Sequence, residues 1–370
     1  MVLIWNSSWN DIKIFINYKR NNCVFMTGIE ILNHNYQPNY EEPRGGAKTS
    51  SSTTTKVQVD TQNAEKKAAD SYRRHLSRIK DSGIKWVRLE AADIEVVKYA
   101  CTIGLNVIAI VKSQTAIYDS LGIKEIRYFP WNWGKIWGSY VEKKVEELSS
   151  IGVKVWQVDN ELNHPGQNLL PSQNPRLAQD IVRIGANAIR NIDPTATITV
   201  NLNYSPPLIK ARDFIMAYRF LRDIEGVPLH ILGMDYYKGG WSAFCPGSPS
   251  EYAMDVENHH KLWSGDILIM ETGFCTYPDN GSLHESQCDF MKSVFSSLDA
   301  LIKKASWFKG VMWYEYSSKH WGFPCEDYFG LHYIDGLEEH KKLAWNEFLN
   351  LLRNYDASGK IFGVQYHLYP

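Results

Sequence analysis

Two short apolar segments of this sequence each end in a glutamate. The run 153–158 is followed by Asp159-Asn160-Glu161, and the run 266–270 is followed by Glu271, 110 residues further along the chain. Such runs are typical of buried strands, and the carboxyl ends of parallel strands are where α/β proteins bind ligands. Two carboxyls at that edge can divide the chemistry: a protonated one acts on a leaving group, and an ionised one attacks or activates water. The first motif also fits an ordinary βα loop with helix-capping residues.

Segments with strand-like and helix-like patterns alternate along most of the sequence. This rhythm predicts repeated βα units and a parallel sheet, and eight units predict an α/β fold of the (β/α)8 TIM barrel type. The predicted strands are Val24–Ile31, Ile84–Glu90, Leu105–Val111, Val153–Val158, Thr197–Asn203, Leu229–Tyr237, Asp266–Glu271 and Gly310–Tyr316. The predicted helices are 63–81, 93–103, 139–150, 175–192, 211–224, 248–263, 283–305 and 337–354.

A length of 370 residues suits one such barrel as a single domain. We expect an N-terminal extension at 1–23, the barrel at 24–355 and an extended C-terminal tail at 356–370. The barrel region includes a long polar loop at 33–62. Its place after the first predicted strand allows either a lid over the ligand-binding face or a floppy insertion.

The charge and cysteine content exclude several classes of partner. A net charge of −1 gives no basis for binding nucleic acid or an anionic membrane. The N-terminus lacks the features of a signal peptide, which favours a cytoplasmic over a secreted location. The six cysteines form no CxxC pair, so no structural zinc site is predicted. Cys245, Cys275 and Cys325 fall on loops expected at one face of the barrel, where one disulfide could form.

The two strand-end motifs carry a resemblance to a known group of enzymes. Asn160-Glu161 at the fourth predicted strand and Glu271-Thr272-Gly273 at the seventh resemble the retaining (β/α)8 glycoside hydrolases of clan A, which include families 5, 17, 39 and 53. The resemblance covers about residues 24–350. It implies hydrolysis of O-glycosidic bonds in a β-linked oligo- or polysaccharide by double displacement, without a cofactor or metal. Glu161 matches the acid/base, and Glu271 matches the nucleophile.

The resemblance also implies roles for substrate-binding residues. Asn160 matches the group that hydrogen-bonds the sugar 2-hydroxyl, with a helix cap as the alternative. Arg88 and Tyr236, in preference to Tyr237, match the donors that keep the nucleophile ionised. Trp313 matches the floor of the −1 subsite, although a lone Trp in a strand also fits the core. Asn203, at a strand end, and Trp241, on a loop, are further candidates for lining the sugar cleft. The remaining strand-end and loop candidates are Glu30, Glu90, His164, Asn201, Asp235, Glu315, Trp131, Trp133 and Trp321.

Departures from the family patterns leave the family and the substrate open. The third predicted strand ends in Val111-Lys112-Ser113-Gln114, where family 5 usually has a histidine, and Phe274 stands where family 17 has a tryptophan. Two other functions remain as alternatives: a catalytically silent carbohydrate-binding barrel and a transglycosylase. A metal-dependent barrel enzyme fits less well, since no HxH or HxxxH pair occurs at a predicted strand end.

Overall fold

A computed structural model describes residues 14–20, 23–29, 70–122, 129–204, 211–241, 245–278, 281–318, 325–335 and 338–367. The chain divides into two compact units, residues 1–60 and 61–370. The 33–62 loop expected from the sequence lies outside the described residues.

The first unit contains a two-stranded antiparallel hairpin. Strand β1 (Ile14–Arg20) pairs with β2 (Cys23–Ile29). The expectation that Val24–Ile31 is the first barrel strand is therefore wrong. A short run rich in β-branched residues predicts a strand equally well in a hairpin or in a barrel, because the pattern does not identify the pairing partner.

The second unit is a closed barrel of eight parallel strands, which confirms the predicted (β/α)8 fold. Around the ring the order is β12-β3-β4-β5-β6-β7-β8-β9. These strands are β3 (Trp86–Glu90), β4 (Asn106–Val111), β5 (Val155–Val158), β6 (Thr197–Asn203), β7 (Ile231–Asp235), β8 (Asp266–Thr272), β9 (Phe308–Trp313) and β12 (Ile361–Gln365).

The strand that closes the barrel comes from the segment expected to be a tail. Strand β12 pairs with β9 on one side and with β3 on the other, with Gly363 opposite Trp86 and Gln365 opposite Arg88. The prediction of a tail at 356–370 is therefore wrong at these positions. Five residues that include a glycine give a weak strand pattern, but the ring supplies hydrogen-bonding partners on both edges.

Helices surround the barrel, and their apolar faces pack against the outer side of the strands. Inside the ring, a small group of apolar side chains from several strands fills the centre, including Ile108, Leu268 and Met312. The helices are α1 (70–81 within the described residues), α2 (Ile94–Thr102), α3 (Ser113–Leu121), α4 (Trp133–Ser149), α5 (Leu169–Gln173), α6 (Pro175–Ile192), α7 (Ala211–Asp223), α8 (Tyr252–Trp263), α9 (Gly281–Lys304) and α10 (Leu343–Tyr355).

Some boundaries differ from the sequence-based expectations. Helix α4 begins at Trp133, six residues before the predicted start at Ser139, because the aromatic segment there continues the apolar face of the helix. A hairpin of β10 (His332–Asp335) and β11 (Glu338–Lys341) precedes α10 and takes the start of the last predicted helix. Among the described residues, no helix combines the length and apolar character needed to cross a bilayer.

The close approach of β12 to β3 predicts a stability effect. A Cβ added to Gly363 would lie 2.1 Å from the Trp86 carbonyl oxygen, so Gly363→Ala forces two paired strands apart. We expect a loss of about 1–3 kcal/mol in the free energy of unfolding, measured by urea titration. The matched control is Gly281→Ala, where the added Cβ meets nothing within 4 Å. Equal stability of the two variants would contradict this account of barrel closure.

Candidate functional site

Three buried carboxyl side chains meet at the carboxyl ends of the barrel strands. Glu161 follows β5, Asp235 ends β7 and Glu271 lies near the end of β8. One carboxyl oxygen of each lies within 4.8 Å of the other two, and exposure is 2%, 0% and 8%, respectively. Strands that run parallel around a closed ring end in one layer. The two glutamates noted in the sequence therefore lie side by side despite their separation along the chain.

The guanidinium of Arg88 lies beneath this group and is fully buried. It forms an ion pair with Glu271 and donates hydrogen bonds to Gln157 Oε1 (2.6 Å), Asn160 Oδ1 (2.6 Å) and Gln365 Oε1 (2.8 Å). Burial disfavours the charged guanidinium, but the Glu271 and Asp235 carboxylates outweigh burial and raise the pKa of Arg88. A permanent positive charge is thus held next to Glu271.

The backbone after β5 turns sharply to present Asn160 and Glu161. Asp159 and Glu161 have φ values of 60° and 48°, in the left-handed region. Asp159 stabilises this turn because its carboxylate accepts hydrogen bonds from the backbone N–H groups of Ser113 (3.1 Å) and Asn160 (2.9 Å). Asn160 is therefore held by the turn, and the alternative that its side chain caps the next helix is not observed: its Nδ2 donates to Gln167 Oε1 at 2.9 Å.

Glu161 lies among amide donors in a setting shielded from water. Asn203 Nδ2 donates to Glu161 Oε1 (2.6 Å), and the Gln167 side-chain amide donates to Glu161 Oε2. Burial, followed by the negative charge of Glu271, raises the pKa of Glu161 to about 8, although the Asn203 hydrogen bond opposes this shift. Glu161 can therefore hold a proton at neutral pH.

Glu271 has the opposite environment, with strong donors directed at both oxygens. Arg88 contacts Oε1, and the Tyr237 hydroxyl donates to Oε2 at 2.8 Å. Burial and the adjacent Glu271 charge raise the pKa of Tyr237 well above its usual value, so this hydroxyl stays a donor. The two glutamates thus differ in the way that an acid and a nucleophile require.

The sequence-based preference for Tyr236 over Tyr237 as the donor to Glu271 is wrong, because the two side chains lie on the opposite faces of the strand from those expected. The Tyr236 hydroxyl donates to Asp255 on α8, and its ring packs against Tyr252 with centroids 4.6 Å apart. Successive side chains on a strand point to opposite faces, so Asp235 and Tyr237 face the site while Tyr236 faces the helices.

Trp313 was also expected at the site and lies instead in the outer core. It is fully buried, and its ring centroid lies 6.2 Å from both Phe290 and Phe348, on α9 and α10. Met312 points into the barrel, so the next side chain points outward. The neighbouring Tyr314 has its ring 6.0 Å from Tyr237, on the site's side of the strand.

Trp241 borders the site through its contact with Tyr237. The half-buried indole lies 5.4 Å from the Tyr237 ring and 5.2 Å from Phe329. Of the other candidate tryptophans, Trp131 is 95% exposed and Trp133, the first residue of α4, packs against Phe129. Trp321 lies outside the described residues.

A disulfide supports the loops around Tyr237. Cys275 and Cys325 are bonded, which joins the loop after β8 to the loop after β9. Beside it, the Tyr314 hydroxyl donates to Glu326 at 2.7 Å, and Cys245 is buried in the same apolar cluster. The sequence leaves one disulfide possible among the three cysteines, and this is the pair that forms.

Sequence reasoning missed three glutamines of the site. Gln157 accepts from Arg88 and donates to Asn201 Oδ1 at 2.8 Å, Gln365 accepts from Arg88, and Gln167 contacts both Asn160 and Glu161. An amide inside the apolar run around Gln157 was a usable signal, because buried polar side chains need partners. Gln365 was missed because its segment was taken for a tail.

The three carboxyls are a candidate donor set for a divalent cation. The N–H donors around them argue for a different use. Arg88, Asn201 and Asn203 already direct donors at Glu271, Asp235 and Glu161, respectively. These N–H groups occupy the carboxyl oxygens through which a divalent cation would be bound. The same N–H groups suit carboxyls that are protonated or paired with a guanidinium.

No protein-family model matches the sequence, and no curated protein matches it. Solved structures of similar fold include a family 1 β-glucosidase from Thermotoga maritima, with a TM-score of 0.60 and 12% identity over 77% of this chain and 86% of that one. The AHE enzyme from Alicyclobacillus herbarius matches with a TM-score of 0.61 and 11% identity over 76% and 86%. At this identity, the comparison establishes the barrel fold that this chain shares with these enzymes.

The environment of Glu161 predicts how stability depends on pH. Between pH 4.5, its unshifted pKa, and about 8, the folded protein holds a proton that the unfolded chain releases, so raising the pH across this window lowers the free energy of unfolding. Glu161→Gln removes this dependence. We expect the free energy of unfolding of the wild type, minus that of Glu161→Gln, to fall between pH 5 and 8 by up to about 1.4 kcal/mol per pH unit.

Urea titrations at several pH values measure this difference. Glu146→Gln, at an exposed position on α4, is the control and should give a difference that is constant with pH. A constant difference for Glu161→Gln as well would contradict the assignment of the proton.

Proposed function

We propose that this protein is a retaining glycoside hydrolase that cleaves β-linked glycosides, with Glu161 as acid/base and Glu271 as nucleophile. The observation that carries the proposal is the close approach of two strand-end glutamates in opposite electrostatic environments. A carboxyl oxygen of Glu161 lies within 4.8 Å of a carboxyl oxygen of Glu271. Retaining enzymes place their two carboxyls about 5–5.5 Å apart, whereas inverting enzymes need about 6.5–9.5 Å for an intervening water. The close approach supports double displacement.

The positions of the two glutamates around the ring support the same conclusion. If β12 is counted as the first strand, Glu161 follows the fourth strand and Glu271 lies on the seventh. These are the positions that the resemblance to clan A assigns to the acid/base and the nucleophile. The C-terminal strand thus takes the place in the ring that Val24–Ile31 was expected to fill.

In the first step, the Glu271 carboxylate attacks the anomeric carbon while the Glu161 carboxyl gives its proton to the glycosidic oxygen. The C–O bond to the leaving group breaks, and a glycosyl ester forms on Glu271. Arg88 and Tyr237 hold Glu271 ionised and aimed until it attacks. In the second step, ionised Glu161 takes a proton from water, the water attacks the anomeric carbon, and Glu271 is released.

Gln167 marks where the substrate enters this arrangement. Its amide donates to Glu161 and accepts from Asn160 Nδ2, so it bridges the acid and the residue proposed to bind the sugar 2-hydroxyl. A bound glycoside would occupy both positions, because its glycosidic oxygen accepts the proton of Glu161 and its 2-hydroxyl accepts from Asn160 Nδ2. Substrate binding therefore displaces the Gln167 side chain, which lies on an exposed loop. Trp241, at the rim, is a candidate platform for the sugar ring.

Covalent labelling tests the assignment of the nucleophile. Incubation with 2-deoxy-2-fluoro β-glycosides of the gluco, galacto, manno and xylo series should add one sugar mass to the wild type and none to Glu271→Gln. Glu161→Gln should lose about 10²- to 10⁴-fold in kcat/KM on alkyl glycosides and much less in kcat/KM on 2,4-dinitrophenyl glycosides, whose leaving group departs without protonation. Glu146→Gln is the control. Binding of oligosaccharides with no labelling or turnover would support the silent carbohydrate-binding barrel instead.

The two adjacent tyrosines provide a matched pair of variants. Tyr237→Phe removes the hydroxyl that donates to Glu271, so we expect kcat on an aryl β-glycoside to fall at least tenfold. Tyr236→Phe removes a hydroxyl directed at Asp255 behind the strand and should change kcat less than twofold. The reverse order of effects would show that Glu271 is not held as described.

A further inference from the structure

We infer that Asp235 is a positioning residue which, together with Glu161, retains one proton and thereby keeps Glu161 in its acid form. This inference rests on the proposed function and extends it. Asp235 is fully buried at the end of β7, paired in register with Asn203 on β6 and Glu271 on β8. A carboxylate in this position has no contact with solvent to stabilise its charge.

The first argument is a count of charge. If Glu161, Asp235 and Glu271 were all ionised, they would carry three negative charges within 4.8 Å of one another, against the single positive charge of Arg88. Arg88 donates its hydrogen bonds to Glu271 and to three amides and gives none to Glu161 or Asp235. Like charges at this distance in a buried site cannot all persist, so protons must be retained there.

The second argument locates the retained proton. The Asn201 amide is oriented because its Oδ1 accepts from Gln157 Nε2 (2.8 Å) and from the Glu161 backbone N–H (3.1 Å), so its Nδ2 is directed at Asp235 Oδ2. The other oxygen, Asp235 Oδ1, is buried and receives no hydrogen bond from the described residues. The Glu161 and Asp235 carboxyls approach closely enough for a hydrogen bond when one of them carries a proton. A proton held between the two carboxyls supplies the missing donor.

The surrounding groups keep this proton in the pair. Burial, then the charges of Glu271 and Glu161, raise the pKa of Asp235 well above its usual value. The titratable and charged groups that face Asp235 or its two carboxyl neighbours are Arg88, Glu161, His164, Tyr204, Tyr237, Glu271, Tyr314 and Glu326. Among them, burial lowers the pKa of His164, and Tyr204 and Tyr237 have raised pKa values, so none adds a second cation near neutral pH.

The consequence is a particular kind of pH dependence. Because the pair gives up its proton only on the alkaline side of neutrality, Glu161 can still receive that proton and act as an acid there. The apparent titration belongs to the pair, since the two carboxyls interact strongly. Asp235 need not touch the substrate, because it acts through Glu161.

Asp235→Asn is the test variant, since it keeps the size and the acceptor for Asn201 but removes the charge. On an aryl β-glycoside that the wild type hydrolyses, we expect kcat/KM at pH 5 to change less than threefold and kcat/KM at pH 8 to fall at least tenfold. Asp255→Asn makes the same chemical change behind the strand, where Asp255 meets Tyr236 and Lys238, and should leave the pH profile unmoved. An unshifted alkaline limb in folded Asp235→Asn would overturn the inference.

A measurement that needs no activity separates this inference from the proposed function. In wild-type protein labelled with ¹³C at side-chain carboxyls, the Glu161 and Asp235 signals should titrate together with a shared midpoint. In Asp235→Asn, the Glu161 midpoint should fall by at least one pH unit. Independent midpoints in the wild type would overturn the inference, even if Asp235→Asn fails to fold. If the paired titration is observed but no glycoside is cleaved, the proposed function alone fails.

Discussion

The candidate site depends on the ion pair and hydrogen bonds that the buried guanidinium of Arg88 makes. Removing a cation from water costs several kcal/mol, and the structure offsets this cost with Glu271 and with amide acceptors from β5, its following turn and β12. These acceptors come from three distant parts of the chain, β5 with its turn, β8 and β12, so all of them reach Arg88 only when the ring is closed. The same contacts fix Glu271 and Asn160. The geometry of the candidate site is therefore tied to one buried charge.

The barrel turns two chemically identical side chains into groups with different properties. Glu271 receives hydrogen bonds from a guanidinium and a phenol hydroxyl, whereas Glu161 receives hydrogen bonds from amides and faces the negative charge of Glu271. The difference arises from the neighbours that each ring position provides. This chain shares its barrel shape with a β-glucosidase to which it is 12% identical in sequence. The barrel shape alone does not specify the chemistry. The environments of the individual carboxyls carry the functional argument.

Much of the fold and part of the site could be predicted from the sequence. Glu161, Glu271, Arg88 and Asn160 were found because strand ends can be read from short apolar runs, and parallel strands bring their ends together. Tyr236 and Trp313 were misplaced because a shift of one residue exchanges the two faces of a strand. Strand β12 was missed because five residues carry little pattern of their own. Its stability comes from two partner strands, one more than 250 residues and the other about 50 residues earlier in the chain.

The position of β12 has a consequence for how the protein emerges from the ribosome. The ring strand that lies between β9 and β3 is the last of the eight to be synthesised, although its partner β3 is the first. Until Gln365 has left the exit tunnel, the nascent chain holds seven strands with two open edges, and Arg88 lacks one of its acceptors. Open edges of this kind attract other strands. Translation must therefore be completed through β12 before the barrel can protect itself from aggregation.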